Sequence, residues 1–220
     1  MARIVEAYVG EYASGKSEIA INRALELSGC GQPVTLVDLD TVEPFYTLRP
    51  LKAWLEQQGI TVVGSGQEES FGLGETGGRI HPAARWALRR EGVIILDIGY
   101  GVFGARTLNL VEGAQADPDL RVLAVINTAR PMTSSVADIV GYVRDLGRVD
   151  ALVSNSHLGD QTTPEFIIAG HRKVVQAARE LGLPVAFLAV EERWREPLEA
   201  VDLGGVPVKY IRRYMPAALW

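Results

Sequence analysis

Cysteine is almost missing from this sequence: Cys30 is the single one in 220 residues. One thiol excludes a disulfide within the chain, fits a reducing compartment, and could serve a metal or cluster site only across a dimer axis. Basic residues are in the minority, 22 Lys and Arg against 27 Asp and Glu, for a net charge of -5. That balance argues against a surface built wholesale for nucleic acid. No apolar run reaches membrane-spanning length, and the first twenty residues read as a strand and a loop with no cleavable signal. A cytoplasmic location is expected, with neither nucleic acid nor membrane as partner. Internal repeats and low-complexity linkers are also lacking, so the expectation is a single domain over residues 1–220, with its core at about 3–190 and a C-terminal extension at 191–220.

What the chain does have is GEYASGKS at residues 10–17, which satisfies G-x-x-x-x-G-K-[ST]. Residues 4–9 form a short apolar run with β-branched members, so a buried strand leads into Gly10. After Ser17, Ile21, Ala24 and Leu25 follow helical spacing. Strand, glycine-rich loop and helix are the setting in which this pattern binds phosphate. Gly10 and Gly15 let the backbone close around an anion because no Cβ obstructs it. Glu11, Tyr12, Ala13 and Ser14 bring main-chain N–H groups to the same place, and the helix opening near Lys16 adds its positive end. Lys16 is expected on the β- and γ-phosphates, and the Ser17 hydroxyl on Mg²⁺.

Apolar runs at 34–37, 60–63, 93–96, 120–126, 151–153 and 185–190 predict further buried strands. Between them, helices are predicted over 51–58, 82–90, 106–116, 164–181 and 197–201, and one opening at Ser135 with Asp138 in capping-box register. Continuous apolar strands alternating with helices predict an α/β fold: a mainly parallel sheet of about seven strands, covered on both faces as three α/β/α layers. Residues 64–78 hold six glycines in polar sequence and read as a long functional loop.

In such sheets ligands gather at the carboxyl ends of the strands, and the polar residues sit there. Asp97 follows four apolar residues and is a candidate Mg²⁺ ligand, or a cap on the next turn. Asp38 and Asp40, two apart on an extended segment, are expected on one side, where paired carboxylates call for a cation or a proton. Either could orient an attacking water or take a proton from a substrate hydroxyl; otherwise one of them caps a turn. Asn127 and Asn155 end later strands, and a carboxamide there can read a base edge or shape a turn. Arg49 and Arg130 read as phosphate contacts or surface charges, and His157 as a substrate contact or a polar loop residue.

Taken together, GEYASGKS, VTLVDLD (34–40), VIILDIG (93–99), VINTARP (125–131) and LVSNSHL (152–158) resemble the ParA/MinD/CobQ branch of the SIMIBI-class P-loop NTPases. The resemblance spans residues 3–190. It implies ATP and Mg²⁺ as ligands, phosphate and metal contacts from Lys16 and Ser17, a switch aspartate at Asp40, a Walker B acid at Asp97, and an adenine contact at Asn155. Switch segments are expected at 41–50 and 99–104. The sequence departs from the ParA and MinD pattern at one position. Those proteins carry a second lysine directly after the first glycine, and here Glu11 stands there. That argues against an ATP-sandwich homodimer and leaves three expectations: an ATPase of this class, a dethiobiotin synthetase-like kinase or ligase acting on a small metabolite, or a nucleotide-sensing module with a protein partner. Residues 210–215 resemble the basic-aromatic tail of MinD-type proteins. Pro216 follows at once, so a segment docked on the domain or on a dimer partner is expected in place of a membrane anchor.

Overall fold

The computed structural model describes residues 3–40, 48–64 and 80–215. The expectations placed on residues 41–47 and on 65–78 lie outside the described residues. Two compact units make up the chain: residues 1–9 with 20–121, and residues 10–19 with 122–220.

The first unit holds β1 (Ile4–Gly10, up to Val9), β2 (Val34–Leu39), β3 (Ile60–Val63) and β4 (Val93–Ile98), in the order β3-β2-β4-β1 and all parallel. Every residue of β2 and β4 is buried, as expected of strands whose apolar run is unbroken. Helix α1 (Lys16–Gly29) enters this unit at Ala20. Its Arg23 places Nε and Nη2 on the two carboxylate oxygens of Glu6, both at 3.0 Å, and the Tyr8 hydroxyl donates to Glu6 Oε2 at 2.7 Å. A charge buried on β1 is thus matched by a guanidinium from the helix above it, which fixes the helix against the strand. Cys30 lies exposed in the turn after α1.

Helix α2 (Lys52–Gln57) follows a short 3-10 turn at Arg49–Leu51. The predicted helix over 82–90 is a 3-10 helix, Pro82–Arg89, kinked at Trp86. The helix predicted over 106–116 is corrected: α3 is Gly101–Arg106, followed by a 3-10 turn at Thr107–Leu110. The Thr107 hydroxyl bonds the Gly104 carbonyl at 2.7 Å and Gly113 adopts φ +83°, so the apolar spacing of 108–114 lies on turns.

The second unit carries residues 10–19 and four parallel strands in the order β5-β6-β7-β8: β5 (Leu120–Ile126), β6 (Ala151–Ser154), β7 (Val185–Glu191) and β8 (Val208–Ile211). Helix α4 (Val136–Leu146) opens on the expected capping box: Ser135 Oγ accepts from Asp138 N–H at 3.1 Å, and Asp138 Oδ2 accepts from Ser135 N–H at 3.0 Å. Helix α5 (Pro164–Leu181) is capped by Thr163 and stops at Gly182, whose φ is +68°. Helix α6 (Arg195–Glu199) follows a 3-10 turn at Glu192–Trp194. The fold is α/β as expected, with eight strands in place of about seven. The additional one, β8, pairs with β7 from Leu188–Val208 to Glu191–Ile211. Among the described residues no helix is long and apolar enough to cross a membrane.

Candidate functional site

Close packing sets the shape of the loop between Gly10 and α1. A Cβ on Gly10 would stand 2.5 Å from the Val125 carbonyl oxygen, and one on Gly15 would stand 2.3 Å from Asn155 Nδ2. Gly15 also has φ +89°, and Ala13 takes a left-handed φ of +51°, so the backbone winds as few sequences permit. Lys16 is 7% exposed, and its Nζ folds back to donate to the Glu11 carbonyl at 2.9 Å. Ser14, beneath the loop, is fully buried.

Both strand-end asparagines brace this loop. Asn155 Nδ2 donates to the Ser14 carbonyl at 2.8 Å. Asn127 Nδ2 donates to the carbonyls of Ala13 at 3.4 Å and His157 at 3.1 Å, while its Oδ1 accepts from Ala129 and His157 N–H. Glu11, the acid in place of a lysine, turns onto its own unit. Its two oxygens accept from Met132 N–H and from Thr133 Oγ1, each at 3.4 Å, and burial raises its pKa. It staples the loop to the short turn Pro131–Thr133.

Glu18, in the first turn of α1, holds a different segment. Its carboxylate accepts the main-chain N–H of Tyr214 at 3.0 Å and of Met215 at 2.7 Å. The strand β8 and the residues after it are therefore fastened to the helix that begins at the loop, which is the docked arrangement expected for residues 210–215. A pocket opens in this unit, with Gly15, Asn155, His157, Val190, Trp194 and Arg213 among its walls.

His157 stands in that wall as a neutral ring. Burial, reinforced by the positive charges of Arg130 and Arg213, lowers its pKa from 6.5 to about 4. Between those values the unfolded chain binds a proton that the folded one does not. The stability contributed by the neutral ring is full above pH 6.5 and is lost as the pH falls towards 4. The unfolding free energy of wild type minus that of His157→Asn is expected to shrink on the order of 2 kcal/mol between about pH 7 and pH 4.5. A difference flat with pH in urea titrations would refute this.

The acids of the first unit form their own arrangement. Asp97 is fully buried and stands level with Asp38 on one neighbouring strand and with Tyr8 on the other. Asp38 turns back on its own strand exit. Its Oδ1 accepts from Asp40 N–H at 2.9 Å, and its Oδ2 from Arg49 Nε at 2.7 Å. Burial raises its pKa against the pull of the guanidinium. Arg49 Nη2 also donates to the Asp40 carbonyl at 2.8 Å, so Arg49 is a clamp on this strand exit. The Asp40 carboxylate lies beside Gly99, where a Cβ would be 3.1 Å from Oδ1.

Glu18, Trp194 and Arg213 were not legible as site residues. No local pattern marks them, because each meets its neighbours through contacts distant in sequence.

No protein-family model matches the chain, and no curated protein matches it in sequence. Solved structures do. The cell division protein FtsY of Thermotoga maritima superposes with TM-score 0.59 at 22% identity, over 87% of this chain and 63% of that one. The chloroplast FtsY of Physcomitrella patens gives 0.58 and 19%, over 87% and 60%. The signal recognition particle 54 kDa protein of Aeropyrum pernix, solved with GDP, gives 0.56 and 21%, over 100% and 46%. The fold is that of the P-loop NTPases. The chain spans less than two thirds of the length of each of these proteins. The SIMIBI class and its ParA/MinD branch rest on the sequence motifs alone.

Proposed function

We propose that this protein binds a nucleoside triphosphate with Mg²⁺ through residues 10–17 and hydrolyses it slowly, its nucleotide state serving a partner. The observation that carries the reading is the loop. A backbone that only glycine permits at Gly10 and Gly15 runs into the N-terminus of α1, with Lys16 folded over it. A helix start of this kind aims unpaired N–H groups and positive potential at one point. The neighbours solved with GDP share the fold, which supports nucleotide as the ligand class.

Phosphoryl transfer asks for positioning and charge stabilisation more than for covalent chemistry. Lys16 would hold the β- and γ-phosphate oxygens, and the loop amides would orient them. The donors that the motifs name, the Ser17 hydroxyl and the Asp40 and Asp97 carboxylates, are hard oxygens of the kind Mg²⁺ takes. When bound, the ion would neutralise charge developing on the phosphates. Asp40 is the acid we assign to the attacking water, since both oxygens of Asp38 are engaged in holding the strand exit. A sandwich dimer is not part of this reading, because Glu11 is bonded to Met132 and Thr133 of its own chain. ATP is the nucleotide implied by the ParA/MinD resemblance.

Titration of the whole chain with fluorescent ATP and GTP, with and without Mg²⁺, and competition by inorganic tripolyphosphate, test the proposal. Mg²⁺-dependent binding displaced by tripolyphosphate is expected. Absence of binding by both nucleotides and by tripolyphosphate would overturn it.

A further inference from the structure

Three large apolar side chains of the first unit lie in solvent: Phe103 is 80% exposed, Leu110 59% and Trp86 40%. The local structure turns them outward. Helix α3 and the 3-10 turn after it bury Gly104, Leu108 and, at the turn's end, Val111. Gly104 sits so close to its neighbour that a Cβ on it would stand 2.1 Å from the Gly99 carbonyl oxygen. With that side fixed, Phe103, Arg106 and Leu110 are left on the outer one. The 3-10 helix Pro82–Arg89 does the same, burying Ala84 and Ala87 and exposing Arg85, Trp86 and Arg89. Glu112 N–H donates to the Arg85 carbonyl at 2.8 Å, which lays the two segments side by side. Large apolar groups gathered in solvent in this way mark a contact surface.

The charges around them carry one sign. Residues 82–90 and 101–110 hold four arginines and no acid, in a chain of net charge -5. Three of those guanidiniums are held by aromatic rings. Arg85 and Arg89 lie over the Trp86 ring, 5.0 and 4.0 Å from its centroid, and Arg106 lies 5.3 Å from that of Phe103. A guanidinium stacked by its face keeps the N–H groups of its edge free, and their planar fork matches a carboxylate. Arg85 turns part of that capacity to Glu112, at 3.6 Å. Among the described residues neither Arg89 nor Arg106 has an acid partner.

We propose that this face docks an acidic protein segment, one that sets Asp or Glu on Arg89 and Arg106 and beds apolar side chains against Phe103 and Leu110. Charge complementarity chooses the partner, since basic groups collected on one face of an acidic chain attract and orient an acidic surface. Aromatic and arginine side chains are also the residues that carry most of the binding energy in protein interfaces. Single-stranded nucleic acid is the other polyanion that uses arginine and aromatic rings, but it stacks its bases on bare ring faces. Here guanidiniums stand over the rings of both Trp86 and Phe103, and Leu110 offers a phosphate backbone nothing. The docking goes beyond nucleotide binding and uses none of the residues of the phosphate loop.

A random-sequence peptide array probed with the labelled whole chain, without nucleotide, tests this. Retained peptides are expected to combine Asp or Glu with Leu, Phe or Trp. The best of them, made singly, should lose about tenfold in affinity to Arg89→Glu with Arg106→Glu, and about tenfold to Phe103→Ser. All three positions are exposed, so urea midpoints should match that of wild type. Added salt should weaken the peptide's binding to wild type. The same peptide with Lys in place of each acid should prefer the Arg89→Glu, Arg106→Glu variant to wild type. An array that retains nothing, retained peptides without an acidic excess, affinities unmoved by these variants, or oligothymidylate held more tightly than any peptide would overturn the proposal. Failure of tripolyphosphate to compete for nucleotide would instead remove the phosphate site and leave this surface standing.

Discussion

Lys16→Ala is expected to weaken triphosphate binding by about two orders of magnitude while leaving the fold intact. The side chain donates from Nζ to the Glu11 carbonyl at 2.9 Å, a bond that the mutation removes. Charge-assisted hydrogen bonds from a largely buried ammonium to phosphate oxygens contribute more, about 3 kcal/mol in a site of this kind, which is roughly a hundredfold in affinity. The two effects separate cleanly. A melting curve should move by only a few degrees, whereas the titration should lose nearly all its signal at concentrations that saturate wild type. Affinity within a few-fold of wild type would mean that the loop does not hold the phosphates.

Gly15→Ala should damage both properties at once. The new methyl carbon would fall 2.3 Å from Asn155 Nδ2, and the backbone there sits at φ +89°. Relief requires Asn155 to withdraw its bond from the Ser14 carbonyl, so the brace beneath the loop goes with it. Left-handed strain, a lost buried hydrogen bond and an unsatisfied carboxamide together cost about 3–5 kcal/mol. Chemical denaturation should report that loss, and nucleotide binding should be abolished in the fraction that still folds. Asn155→Ala in the same background separates the causes: partial recovery of stability marks the clash, and unchanged stability marks the backbone angle. Stability of Gly15→Ala within about 1 kcal/mol of wild type would contradict the close packing described here.

Much of this was readable beforehand because the signals were local. The phosphate loop carries its spacing within eight residues. The caps at Ser135 and Thr163 stand next to the helices they start, and unbroken apolar runs mark buried parallel strands wherever they occur. What escaped was settled by distant partners. The strand β8 is half-buried throughout, so its short run lacked the burial signal of the others. Asp38 was visible as a strand-end acid, but the guanidinium of Arg49 that engages its carboxylate stands eleven residues away with no local pattern to mark it. Asn127 and Asn155 were visible as strand-end amides, yet only coordinates show that they grip the Ala13 and Ser14 carbonyls. The helix expected over 106–116 gives way to turns, where the Thr107 hydroxyl takes the Gly104 carbonyl and Gly113 adopts φ +83°.

The bond from Glu18 to Tyr214 joins positions 196 residues apart, and the one from Asn155 to Ser14 joins positions 141 apart. During synthesis the loop leaves the ribosome early and must wait, unbraced, for segments made much later. Long-range closure of this kind is slow. Until it happens, the loop has the right residues without the geometry they need, so competence for its ligand waits on the synthesis of Asn155 and of the segment that reaches Glu18.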